Sequence, residues 1–168
     1  MRRTKNLAFV ALCTTLALIL AYAEALMPPV FAAVPGIKMG LPNIVLVFLL
    51  YRRGPAYALG VSLLRIVLVS LLFGNVMAMM YSLAGGILSM LVMILLRRMN
   101  CLSVVGVSVT GAVMHNLGQI LIAMLLLETA QIAYYLVVLT LTGTIAGVLI
   151  GLCGAIIIQR IPPKYVDF

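Results

Sequence analysis

Seven polar or charged side chains stand in or beside stretches that are otherwise apolar: Glu24, Lys38, Asn43, Arg65, His115, Asn116 and Gln119. Arg65 lies about ten residues into an apolar run, which at 1.5 Å per residue places it roughly 15 Å deep, near the middle of a hydrocarbon core. Charge at that depth costs several kcal/mol and marks a functional candidate. His115 and Gln119 are one helical turn apart and share a face, with Asn116 beside them. Such groups can orient the polar end of a small ligand in a cavity whose walls are apolar, drawn from residues such as Tyr81, Met77 and Met80. Pairing of Glu24 with Arg65 or Lys38 would neutralise buried charge without any ligand, but it leaves a second cation, His115 and two amides unexplained. The excess of cations over Glu24 points toward an anionic ligand group. The ligand-binding set expected from the sequence is therefore Glu24, Lys38, Asn43, Arg65, Tyr81, His115, Asn116 and Gln119.

Catalysis is poorly supported by the same inventory. The only acids are Glu24, Glu128 and Asp167, so there is no Asp-rich cluster for magnesium and pyrophosphate. No GxxxxGK[ST] loop is present for ATP, and His115 is the only histidine, so no His pair can hold a metal or haem. Cys13, Cys101 and Cys153 are isolated and show no metal-ligand spacing. No catalytic residue, metal site or cofactor is expected, and any energy for active transport must come from a partner.

The elements that must carry these residues follow from composition. Of the 168 residues 65% are hydrophobic and 8% charged, and the mean hydropathy is +1.30. Too little polar surface exists to cover a water-soluble core, so the chain is an integral membrane protein. Its apolar runs lack the dyad alternation of a barrel, so the spans are helices. Six are expected, at about 7–27, 38–51, 56–73, 76–96, 102–127 and 134–158, forming one membrane domain with no soluble domain. The first run follows MRRTKN and reaches Ala21-Tyr22-Ala23, a shape that signal peptides share. Small residues continue past that point at Ala25, and the reading preferred here is a retained helix.

The net charge of +8 invites a nucleic-acid reading, but the cations mark loops instead. Arg2, Arg3, Lys5, Arg52, Arg53, Arg97, Arg98, Arg160 and Lys164 fall on one side of such a bundle, and only Lys38 falls on the other. By the positive-inside rule both termini are cytoplasmic. The polar candidates lie from the midplane outward, on the side away from the cationic loops, so the expected cavity opens to the outside.

Two further features concern movement and packing. The stretch PPVFAAVPGIKMGLPN, from Pro28 to Asn43, holds four prolines and two glycines and cannot continue a helix. It is expected to gate the pocket, with Pro35, Gly36 and Gly40 setting its path. Gly143, Gly147 and Gly151 repeat at i+4 in the last helix, as Ala17, Ala21 and Ala25 do in the first, which lets backbones approach closely in lipid. Either run can pack within the bundle or dock another membrane protein, and the alanine run is the expected partner-docking stripe.

PGIKMGLPNIV at 35–45, SLLRIVLVSLLFG at 62–74, YSLAGG at 81–86 and GAVMHNLGQ at 111–119 resemble the membrane family called both Gx transporter and heptaprenyl diphosphate synthase component I. The resemblance covers about residues 7–155. Proteins of this family are similar to the substrate-binding S components of energy-coupling-factor transporters, which implies six helices, cytoplasmic termini and an outward-open ligand site beneath the loop joining the first two helices. It also implies roles for Pro35, Gly36, Lys38, Gly40, Asn43, Arg65, His115, Asn116 and Gln119. S components dock on a transmembrane coupling protein through Ala-xxx-Ala on the cytoplasmic half of the first helix. Here that half offers Ala8, Ala11 and Thr15 in imperfect spacing.

Three functions compete at this point. One is a substrate-binding membrane subunit for small-molecule uptake, working in the bilayer with a transmembrane coupling protein and ATPase subunits. Another is a non-catalytic membrane subunit of a quinone, isoprenoid or flavin-linked pathway whose ligand is prenyl-like. The last is a structural adaptor that binds no ligand.

Overall fold

The computed structural model describes residues 2–26 and 40–162. Their helices are α1 (Arg2–Leu26), α2 (Asn43–Arg52), α3 (Pro55–Phe73), α4 (Val76–Met99), α5 (Val104–Leu127) and α6 (Tyr135–Arg160), with a 3₁₀ turn at Ala130–Tyr134 leading into α6. The helix ends follow local chemistry. Pro55 occupies the first turn of α3, where a missing N–H costs nothing. The Asn75 side chain accepts from the Ala78 amide at 2.8 Å and starts α4, and Ser103 accepts from Gly106 at 3.2 Å to start α5. Asn100 and Glu128 take left-handed conformations that end α4 and α5.

Five of the helices, all but α2, are long and apolar enough to cross a membrane. α2 has ten residues and is therefore about 15 Å long, half of a roughly 30 Å hydrocarbon core. The expected span at 38–51 is thus corrected to a half-length helix. Its late start has a local cause: Gly40 turns at φ +76°, and the Gly40, Leu41 and Pro42 carbonyls accept from the amides of Asn43, Ile44 and Val45 at 2.8–3.1 Å. Val45, Leu46, Val47, Phe48, Leu49 and Leu50 are all buried, so α2 is covered all round and is the centre of the core.

α6 shows how the longer helices divide their faces. Val137, Leu141, Ile145, Leu149, Leu152 and Ile156 are exposed at helical spacing, as suits a surface bathed in hydrocarbon. Gly143, Gly147 and Gly151 face inward. A Cβ at Gly147 would lie 2.7 Å from Val109 Cα, and one at Gly151 would lie 2.7 Å from Val105 Cα. The glycine run is therefore the contact between α6 and α5, which decides between the two uses open to it. Ala17 and Ala21 of α1 also point inward. Ala17 is fully buried, and Ala21 lines the internal cavity described below. Docking of a partner through Ala17 and Ala21 is corrected accordingly; the side chain of Ala25 lies outside the described residues. Ala8, Ala11 and Thr15 are exposed on the opposite face of α1.

The cationic loops gather at one end and hold it together. Arg53 donates to the Asn6 side chain near the start of α1 and lies over the rings of Phe9 and Tyr57. Arg52 donates to the carbonyls of Ile158 and, at 2.6 Å, Ile161 at the end of α6. Arg97 donates to the Tyr51 carbonyl at 3.2 Å. These bonds place the start of α1 and the ends of α2, α4 and α6 at one level, consistent with their pairing as cationic connections in the sequence.

Candidate functional site

Because α2 reaches only half the bundle depth, a cavity of about 270 Å³ remains above its first turn. The lining comes from the ends of helices remote from the cationic loops: Ala21 and Glu24 of α1, Gly40, Pro42 and Asn43 before and at the start of α2, and Arg65, Ile66, Val69, Ser70, Phe73 and Gly74 on α3 and just beyond it. Ala78, Tyr81 and Ser82 of α4, Ala112, His115, Asn116 and Gln119 of α5 and Leu139, Thr142, Gly143, Ala146 and Ile150 of α6 complete it. Asn43 and Arg65 lie at the same depth, each roughly 15 Å from the cationic end by helical rise.

The structure brings seven of the expected ligand residues around this one cavity: Glu24, Asn43, Arg65, Tyr81, His115, Asn116 and Gln119. Lys38, with Pro35 and Gly36, lies outside the described residues. Gly40 is described and forms part of the wall. Its N–H donates to Glu24 Oε1 at 2.5 Å, so the carboxylate near the end of α1 fastens the chain entering α2. Asn116 Nδ2 donates to the Leu139 carbonyl at 2.6 Å, and a Cβ at Gly143 would fall 2.5 Å from that same nitrogen. The small residue at 143 thus lets an α5 amide reach the α6 backbone. Gly85 lets α4 and α5 approach closely, because a Cβ there would meet the His115 carbonyl at 2.6 Å and Gln119 Cγ at 2.9 Å.

Two expected wall residues are misplaced. α4 turns Ala78, Tyr81 and Ser82 toward the cavity, a set spaced i, i+3 and i+4. That phase leaves Met77 exposed, and neither Met77 nor Met80 lines the cavity. Sequence reasoning missed Ser70, Ser82 and Thr142, which add hydroxyls to the wall, and it missed the contribution of α6 altogether. Thr142 immediately precedes Gly143, so a hydroxyl beside a close-packing glycine was the available signal.

Arg65 carries the electrostatics. It is half-buried as a whole, open toward the cavity, while its Nε atom is sealed and has no hydrogen-bond partner. Glu24 is the acid whose field reaches it. A second, smaller recess of about 20 Å³ continues from the cavity toward the cationic end and shares Asn43, Arg65, Ala112, His115 and Ile150 with it. Ser62, Ser89 and Ser108 line that recess together with Met90 and Met93. No group of three or more His, Cys, Asp or Glu side chains that could hold a metal exists among the described residues. The arrangement is suited to grip a small molecule by a polar end, with a guanidinium, an imidazole and three amides as donors and acceptors.

No curated protein and no solved structure matches the chain. The family described as heptaprenyl diphosphate synthase component I matches residues 13–157, which include α2 to α5 and every described candidate residue of the cavity. The chain belongs to the heptaprenyl diphosphate synthase component I family.

Proposed function

We propose that this protein is the membrane-embedded binding subunit of a small-molecule uptake system, resembling an S component, with the cavity as its ligand site. The observation that carries the proposal is the position of the cavity: polar groups surround a 270 Å³ space at the end of the bundle remote from every described loop cation. With the cationic end cytoplasmic, the cavity faces outward in the plasma membrane of a prokaryotic cell. Ligand enters beside Gly40 and is held by Arg65, His115, Asn116 and Gln119. Ala8, Ala11 and Thr15, exposed on the cytoplasmic half of α1, are the face available to a transmembrane coupling protein, which an ATPase would drive. The subunit itself is non-catalytic.

The family description supports a second reading, a non-catalytic membrane subunit of an isoprenoid pathway. Gentle solubilisation of the full chain from its native membrane, followed by native mass spectrometry and identification of co-isolated proteins, separates the two. The proposal expects a bound small molecule together with a coupling protein and an ATPase. A prenyltransferase or flavoprotein in their place would favour the second reading, and a chain carrying no small molecule would overturn both.

A further inference from the structure

Arg65 stands at the neck between the 270 Å³ cavity and the 20 Å³ recess and lines both. Its Nε atom is enclosed by protein there, without a partner, so a molecule in the cavity meets the remainder of the Arg65 side chain. Glu24 lines the same cavity, with its Oε1 engaged by the Gly40 N–H. The recess has room for one oxygen atom or one water, since a water needs about 10–15 Å³ by the same measure. Hydroxyl-bearing Ser62, Ser89 and Ser108 line it.

We infer that the site takes a small monocarboxylate with an apolar body, its carboxylate lodged at the neck against Arg65 and its body among Ile66, Val69, Phe73 and Ala78. This deepens the proposed function and rests on it. A planar carboxylate offers two coplanar oxygens to the guanidinium fork, one reaching the recess and one remaining in the cavity beside Asn43 and His115. Tetrahedral phosphates fit less well. A phosphate monoester carries close to two negative charges, and a diphosphate more, whereas among the described lining residues Arg65 is the one Lys or Arg and the Glu24 carboxyl already shares the wall with it. Magnesium could offset that charge, but no acidic cluster to hold it exists among the described residues. The apolar wall on α3 then accommodates a short hydrocarbon body.

The test uses the full chain in lipid nanodiscs with four matched probes: hexanoate, hexanamide, hexylamine and hexyl phosphate. Binding is read as protection of Arg65 from phenylglyoxal, followed by peptide mass mapping, and as a rise in thermal midpoint. Hexanoate is expected to protect at concentrations roughly 10- to 100-fold lower than hexanamide, which is the worth of a charge-assisted hydrogen bond. It should also exceed hexyl phosphate and hexylamine. Arg65→Gln should lose the thermal response to hexanoate, and Arg65→Lys should recover little of it. The probe series on the unmodified chain decides the question even if Arg65→Gln does not fold. Equal protection by hexanamide, or stronger protection by hexyl phosphate or hexylamine, overturns the carboxylate assignment while leaving a ligand site in place. Protection by none of the four overturns it as well, and the presence or absence of a small molecule in the native mass spectrum of the same preparation then tells whether the proposed function falls with it.

Discussion

Replacing Gly40 with Ala separates the binding role of the α2 entrance from its structural role. Gly40 adopts φ +76°, a conformation that costs an L-residue about 1–2 kcal/mol. The new Cβ would lie 2.9 Å from Asn43 Nδ2 and 3.4 Å from Ile150 Cδ1. The closer of the two atoms is the tip of a side chain, which can turn away, so the second cost falls on the position of a cavity amide. Loss of one such contact is worth about 0.5–1.5 kcal/mol, or roughly a 2- to 12-fold weaker grip on a ligand. Gly54 is the control. It sits at φ 99° and ψ 174°, a region open essentially to glycine alone and costing about 1–3 kcal/mol for other residues, yet a Cβ there meets nothing within 4 Å. Gly54→Ala should therefore lower the thermal midpoint at least as much as Gly40→Ala and leave the hexanoate concentration for half-protection of Arg65 unchanged. Gly40→Ala should raise that concentration. Equal affinities for the two variants, or weakening in both in proportion to stability, would refute the assignment of Gly40 to the ligand site.

Topology and packing give two more outcomes. Cys101 is exposed next to the cationic end of α4, so in intact cells it should resist an impermeant maleimide, whereas single reporter cysteines at Gly74 or Thr129 should react; labelling at Cys101 would reverse the orientation. Gly147→Val should lower the thermal midpoint strongly, because even its Cβ would lie 2.7 Å from Val109 Cα and backbone rather than a side chain must move. Overpacking of this kind costs about 1–3 kcal/mol or more, and an unchanged midpoint would show that α5 and α6 are not in contact there.

The polar half of the site was legible in the sequence because a bilayer leaves so few ionisable residues that each one stands out. Arg65, His115, Asn116 and Gln119 could be placed on faces and depths from helical rise alone, and the structure sets them around one cavity. The apolar half was not legible. Met77 and Tyr81 are one turn apart on α4, and only the rotation of that helix, with Gly85 against His115 and Gln119, centres the cavity face on Ala78, Tyr81 and Ser82 and leaves Met77 outside its edge. The length of α2 was hidden for a related reason. Hydropathy rises before Asn43, but the helix begins where the Gly40 turn and its bond to Glu24 allow, a contact between residues 16 apart in sequence. The inward direction of Ala17 and Ala21 was equally invisible, since spacing names a face without naming its neighbour.

The half-length of α2 also constrains how the protein is made. Ten residues are too few to cross a bilayer as an independent span, and six in succession are covered by protein. The short Arg53-Gly54 connection ties this half-length helix to α3, a neighbour long enough to span. Arg52 finds its carbonyl acceptors at Ile158 and Ile161 only after the final helix has been synthesised, and the cavity residues of α6, Leu139, Thr142, Gly143, Ala146 and Ile150, arrive at the same moment. A chain that lacks α6 therefore has neither the carbonyl anchors of Arg52 nor a closed cavity wall beside Arg65.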